Sequence, residues 1–279
     1  MLQSQKAILY MIFSTFLFHL GDIAVKYLSN IPFGEVLFFR FFFALPILFM
    51  MIPRDKIFTF YKTKRIGLHI FRSVAGCIAI VALFIALRNA PLVDTLALTF
   101  LGPVFVTILS ALFLSERVGI RRISAVCLGL IGGLLIIKPT FNEFNPYLLM
   151  AIVFALGFAG VAISIRMLVS TEPIWLIPMY FSLLSMLVGL CTIFNGWVVP
   201  TKFEFFLLVL IGISMGYGNI LLTIALGLAR PTTVAPIKYL SLVFGIMTGY
   251  FIFGESPDLI TIFGALLIAL GSYIIFRRE

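Results

Sequence analysis

Residues 86 to 138 recur at 225 to 277 without a gap, 139 positions further along, and both copies lie in a chain built almost wholly of membrane-length apolar runs. Matched positions include Ala86/Ala225, Leu87/Leu226, Ala90/Ala229, Leu101/Leu240, Val104/Val243, Phe105/Phe244, Glu116/Glu255, Leu128/Leu267 and Gly132/Gly271. A duplicated set of spanning helices is a common way to build a pathway at the interface of two halves. The halves predicted from this repeat are residues 1–139 and 140–279.

Composition sets the solvent. Hydrophobic residues make up 62% of the chain and charged residues 11%, and the mean hydropathy is +1.18, whereas soluble domains carry roughly 25% charged residues. A span needs about 20 apolar residues. Breaks at charge and turn clusters divide the chain into ten spans, at 6–28, 33–52, 66–87, 93–114, 121–138, 147–169, 174–196, 203–228, 233–253 and 259–276. The fold class expected is therefore an all-α integral membrane protein with two five-helix repeats. The longest stretch that is not apolar, 53–65, is too short for a catalytic domain. The first apolar run lasts about twenty residues with no small-x-small cleavage pattern after it, and is read as a retained helix rather than a signal peptide.

The net charge of +9 is distributed as a topology signal rather than as a nucleic-acid patch. With a cytoplasmic N-terminus, one side holds Lys6, Arg54, Lys56, Lys62, Lys64, Arg65, Arg117, Arg121, Arg122, Arg230, Arg277 and Arg278. The other holds only Arg88, Lys138 and Lys202. That asymmetry places both termini in the cytoplasm, with attraction to anionic lipid a secondary effect. Five spans per half mean that the second copy enters from the opposite side, so the repeat is inverted, the arrangement that permits alternating access.

Cys77, Cys127 and Cys191 stand singly within spans, so neither a disulfide, a metal site nor a cofactor is expected. Gly212-Ile-Ser-Met-Gly216 fits GxSxG, but that motif needs a strand–elbow–helix context and here falls inside a continuous span, with His19 and His69 far upstream. Nothing else reads as an enzyme. A channel would need a ring of equivalent groups or a carbonyl filter, and no such signature is visible.

The polar residues inside the spans carry the functional signal, because a charge at mid-bilayer costs about 2.5–3.5 kcal/mol even on insertion scales and needs a partner, a cavity or a route to the surface. Lys26, Arg72 and Arg166 lie near span ends and are expected to snorkel. Arg40, among Phe38, Phe39, Phe41, Phe42 and Phe43, and Lys238, just after Pro236, lie deeper. Arg40 has two readings, an ion pair with Asp22 or Glu35, and ligand contact. Lys238 sits beside the kink expected at Pro236, where a lost helix hydrogen bond opens space. His19, Asp22 and Lys26 share one helix face at spacings of three and four. They read either as an internal ion pair or as a proton-coupling group headed by Asp22. Tyr180, Tyr217, Asn219, Trp175 and Tyr239 add hydrogen-bonding and stacking groups, and the pairs Gly129/Gly133, Gly212/Gly216 and Gly245/Gly249 read as close helix packing.

The run from Phe71 through Arg88-Asn-Ala-Pro-Leu to Leu114-Ser-Glu-Arg-Val118, echoed by Val234-Ala-Pro-Ile-Lys-Tyr-Leu-Ser-Leu-Val243 and Phe253-Gly-Glu255, resembles the EamA repeats of the drug/metabolite transporter superfamily. Gly34-Glu-Val-Leu-Phe-Phe-Arg-Phe-Phe-Phe43, Glu143-Phe-Asn-Pro146 and Lys238-Tyr-Leu240 are similar to bacterial S-adenosylmethionine uptake transporters. The resemblance implies a multi-pass carrier of the bacterial inner membrane. Its cavity would be lined mainly by spans 1, 3, 4, 6, 8 and 9. It would move a small-molecule substrate by alternating access, driven by proton coupling or exchange, as a monomer or homodimer without nucleic-acid partners. The substrate-binding candidates are Arg40, Lys238, Tyr239, Tyr217, Asn219 and Tyr180; those for proton coupling or an ion pair are Asp22, His19 and Lys26. S-adenosylmethionine uptake or exchange is the first reading. Export of amino acids, nucleobases or drugs, and riboflavin transport, remain open.

Overall fold

A computed structural model describes residues 3–54, 62–99, 101–113, 127–128, 131–132, 134–136, 145–234, 237–238, 240–254 and 257–276. Among them there are only helices and connecting turns. The helices are α1 (Gln3–Tyr27), α2 (Phe33–Met50), α3 (Ile66–Asn89), α4 (Leu92–Thr99), α5 (Leu101–Phe113), α6 (Leu148–Val169), α7 (Leu176–Leu190), α8 (Lys202–Leu228), α9 (Pro231–Val234), α10 (Leu240–Phe253) and α11 (Leu259–Phe276). A short 3-10 turn, Ile193–Asn195, follows α7 and is closed by Gly196, whose φ of 81° lies in the left-handed region that a side chain would strain.

The expected spans meet these helices closely, because a chain in lipid must satisfy its backbone within each crossing segment. Among the described residues, six stretches are long and apolar enough to cross a membrane: Gln5–Tyr27, Phe33–Met50, Ile66–Asn89, α4 with α5 over Asp94–Phe113, Leu148–Val169 and Lys202–Leu228. Leu176–Leu190 is a shorter apolar helix. The span expected at 174–196 ends early in a turn and a 3-10 segment, and the one expected at 233–253 is represented by α9 and α10 on either side of residues 235–239. The span expected at 121–138 falls mostly outside the described residues. So do Glu116, Glu255, Gly129, Gly133 and Pro236.

The chain divides into two compact units, and the division falls within α3 and within α6. The first unit is Met1–Cys77 with Ser164–Leu228; the second is Ile78–Ile163 with Ala229–Glu279. Each unit therefore draws on both ends of the repeat.

In the first unit α1 packs along α8, and α2 packs against α7 and α8. Glycines permit the close approach. A Cβ at Gly216 would stand 2.9 Å from the Cβ of Ala44, one at Gly212 would stand 3.1 Å from the carbonyl oxygen of Arg40, and one at Gly189 would stand 2.6 Å from the Phe38 amide nitrogen. The Gly212/Gly216 pair is thus an α8–α2 packing element within one chain. Ser14 of α1 adds a hydroxyl that donates to the Gly218 carbonyl at 2.7 Å. Leu45, Leu48, Ile52, Met179 and Ile220 form a buried cluster here, with Trp175 against it.

In the second unit the core is a cluster of small and branched residues, with Ala86, Ala97, Ala151, Ala155 and Ala265 around Leu98, Leu101 and Ile136. Gly245 of α10 faces Leu96 of α4, and Gly264 of α11 faces the Gly132 carbonyl and Ile136. Outward-facing positions are bulky and apolar in both units, among them Phe13, Phe71, Phe206, Phe251 and Leu259, as a lipid-contacting surface requires.

Loops that the charge distribution assigns to the same side of the membrane are found together. Glu172 accepts hydrogen bonds from the Thr63 hydroxyl (2.7 Å) and the Lys64 amide (2.9 Å), and Arg65 donates to the Met167 carbonyl at 3.3 Å. Glu35 accepts from the Val198 amide at 3.1 Å in the same unit, and Asn145 donates to the Asn89 carbonyl at 3.1 Å in the second.

Candidate substrate site in the membrane-spanning helices

Ionisable side chains concentrate inside the first unit. His19, Asp22, Glu35, Arg40, His69 and Arg72 are all buried, although each lies on a helix long and apolar enough to span a membrane. Such placement is costly unless the groups hold one another or face a ligand.

Helix α1 brings His19 and Asp22 to the inside and leaves Lys26, one turn further, half-buried near its end. Asp22 is near enough for its charge to act on Arg40. The Arg40 guanidinium carbon lies 5.2 Å from the centroid of the Phe41 ring. Glu35, the other acid considered for Arg40, spends its carboxylate on the Val198 amide. Asp22 and Arg40 are therefore partners in one field, and Glu35 is a tie between the start of α2 and the segment before α8.

Arg72 departs from expectation. It is 1% exposed, so it does not snorkel to an aqueous edge. Its Nη2 donates to the Asn219 side-chain oxygen at 3.0 Å, and its guanidinium carbon stands 3.9 Å from the centroid of Phe181. Asn219 was expected to meet substrate; here its amide oxygen meets Arg72, while its own carbonyl accepts from the Thr223 hydroxyl at 2.8 Å. Tyr217, two residues earlier, is 48% exposed and so lies on a different face of α8 from Asn219, which is 6% exposed. Tyr180 stacks at 4.5 Å on the His69 ring. Cys77 and Ser185 share a hydrogen bond at 3.0 Å across α3 and α7.

The α3 contribution has a signal in the sequence. His69, Arg72, Ser73 and Gly76 recur at the spacing of one helix face, and all four are buried. Gly76 leaves room for Phe181, whose ring would collide with a Cβ there.

Arg166 takes up the free carbonyls at the end of α8, donating to Leu226 and Gly227, both at 3.3 Å. It is a helix C-cap rather than a residue reaching for water. In the second unit, Lys238 points its ammonium at Phe158, 3.5 Å from the ring centroid, with Phe154 at 5.0 Å. Its neighbour Tyr239 lies outside the described residues. Ser214, the centre of the GxSxG pattern, is buried inside α8, so the strained elbow that such a nucleophile needs is missing there. Among the described residues, no group of three or more His, Cys, Asp or Glu is placed to hold a metal ion.

The EamA-like transporter family matches this chain twice, over residues 5–138 and 145–277. The chain belongs to that family. An S-adenosylmethionine uptake transporter of Rickettsia bellii is 31% identical over 260 residues, covering 93% of this chain and 89% of its own. Pseudopaline exporter CntI of Pseudomonas aeruginosa is 28% identical over 278 residues, covering 99% of this chain and 97% of its own. A solved crystal structure that is 17% identical matches the fold with a TM-score of 0.69, over 97% of this chain and 96% of that one. This EamA-like protein is therefore a multi-pass transporter of the bacterial inner membrane for a small organic metabolite, and not an enzyme.

Proposed function

We propose that this transporter takes up or exchanges an S-adenosylmethionine-like solute by alternating access between inverted halves, residues 1–139 and 140–279, with both termini cytoplasmic. The observation that carries the reading is the mixed set of buried charges in the first unit, Asp22 with Arg40 and, on α3, Arg72 held by Asn219. A solute with a carboxylate, an ammonium or sulfonium, and an aromatic base has a complement for each element of that set. Arg40 and Arg72 suit the carboxylate, Asp22 suits the cation, and Tyr180 and Phe181 offer ring faces. In the second unit Lys238 is held over Phe158, with its neighbour Tyr239 following in sequence, and Tyr217 adds a hydroxyl on the exposed side of α8. Asp22, with His19 and Lys26 on its face, is the proton-coupling candidate. The similarity to uptake transporters of S-adenosylmethionine supports the substrate choice.

Export is the second reading, because the exporter of Pseudomonas aeruginosa matches over more of the chain at similar identity. Uptake of radiolabelled S-adenosylmethionine by proteoliposomes, with and without unlabelled solute preloaded inside, tests both. Saturable uptake stimulated by internal solute is expected. Correctly inserted protein that shows neither uptake nor release of S-adenosylmethionine would overturn the substrate and leave the fold and family untouched.

A further inference from the structure

We propose that Arg72 on α3 is the residue that binds the carboxylate of the transported solute, with Asn219 and Phe181 holding its guanidinium ready. The inference deepens the carrier reading above and rests on it. A guanidinium has five N–H donors. Here one nitrogen, Nη2, reaches Asn219, while Nε and Nη1 are buried with no hydrogen-bond partner. Asn219 can take only one Nη2 hydrogen through this contact, so whichever it takes, one two-donor edge of the fork stays open. That edge matches the two oxygens of a carboxylate.

The surroundings hold this cation without neutralising it. Asn219 supplies a neutral oxygen and Phe181 the face of a ring, 3.9 Å from the guanidinium carbon. The Cys77 thiol, one turn further along α3, hydrogen-bonds Ser185 and brings no carboxylate to Arg72. The nearby acid, Glu172, is committed to Thr63 and Lys64 at the start of α3. A purely structural arginine so deep in an apolar helix would be expected to carry a carboxylate partner. Phe181 is itself locked, edge-on against Phe41 at 5.0 Å and pressed to Gly76, so the guanidinium is oriented before any ligand arrives.

His69 is one turn away on the same buried face, with both ring nitrogens lacking a hydrogen-bond partner and Tyr180 stacked on it. The open donors and the ring faces thus form one continuous strip along α3 and α7. Arg72 is 1% exposed, so a carboxylate reaches it only when the α3–α7 seam opens.

The test uses the full chain in proteoliposomes, with labelled S-adenosylmethionine uptake competed by the unlabelled acid or by its methyl ester. The wild type should prefer the acid, and R72Q should lose that preference by a factor on the order of tenfold to a hundredfold while the ester still competes. R72K, which keeps the charge but not the fork, should recover part of the preference. An R72Q protein that still prefers the acid as the wild type does, or that loses acid and ester equally, would overturn the assignment. If the wild type does not carry S-adenosylmethionine, the substrate reading fails alone, and a second measurement decides on Arg72. Acetate should then raise the melting temperature of detergent-solubilised wild type more than acetamide does at equal ionic strength, and R72Q should show no difference. Equal effects of acetate and acetamide on the wild type would remove the carboxylate site.

Discussion

Asp22 and Arg40, both buried in the first unit, invite a structural and a transport reading. Removing one member of a buried ion pair leaves an uncompensated charge and costs about 3–5 kcal/mol, so a structural pair and a coupling group must be separated by their readouts. If Asp22 carries the proton, Asp22→Asn abolishes accumulation driven by a pH gradient and spares solute exchange, measured side by side in proteoliposomes. Equal loss of both would assign the carboxylate to the ion pair or to the solute. Lys238 makes a different prediction because its ammonium rests on the Phe158 ring in the second unit. With Arg72 holding the carboxylate, Lys238→Ala should weaken binding of the solute and of its methyl ester alike, checked by competition. Preferential loss of the acid would make Lys238 a carboxylate contact instead of a cation resting on the aromatic pair. Asp22, Arg40 and Lys238 stand out in the sequence because charge in a span is rare. Arg72 lies near a span end, which suggests a route to water, and only the packing of α7 and α8 over α3 closes that route.

The elements depend on small residues at their contacts. Helices in lipid gain little from apolar contact with one another, so close approach and interhelical hydrogen bonds decide their pairing. The α8–α2 seam has Gly212 and Gly216 against Arg40, Phe43 and Ala44. Gly216→Leu should force the helices apart and cost about 1–3 kcal/mol, as overpacking of a close contact does; thermal unfolding in detergent measures it. Gly67, with nothing within 4 Å of a Cβ, is the matched control, and Gly67→Leu should leave the midpoint nearly unchanged. The Glu172 tie acts across elements, since its carboxylate receives donors just ahead of α3. Glu172→Ala should cost about 0.5–2 kcal/mol, the range for a lost cap. Accelerated proteolysis near residue 65 would be its signature. Gly212 and Gly216 were legible as a packing pair from their spacing alone. The partner helix was not, because the same spacing suits a contact within the chain or between chains.

At the scale of the whole molecule, the even apolar runs and the ungapped duplication made the helical class, the membrane setting and the family readable before any coordinates, since lipid leaves a chain few ways to satisfy its backbone. An inverted arrangement of the halves makes a sided prediction. A cysteine placed at Thr63 or Ser170 should be labelled by a membrane-impermeant thiol reagent only from the cytoplasmic face, and one at Asn89 or Thr201 only from the opposite face, in a background lacking Cys77, Cys127 and Cys191. Labelling of all four from one face would overturn that topology. The compact units, by contrast, do not follow the repeat boundary: they divide α3 at Cys77 and α6 at Ser164, so each is assembled from both halves of the chain. By itself the sequence determined the helical class, the membrane setting and the family, because hydropathy and repetition are local properties. Only the tertiary structure decided that Asn219 meets Arg72, that Glu35 turns to Val198 and that Glu172 ties down the start of α3. Those contacts join residues far apart in the chain, and nothing in local pattern chooses among the partners that packing brings within reach.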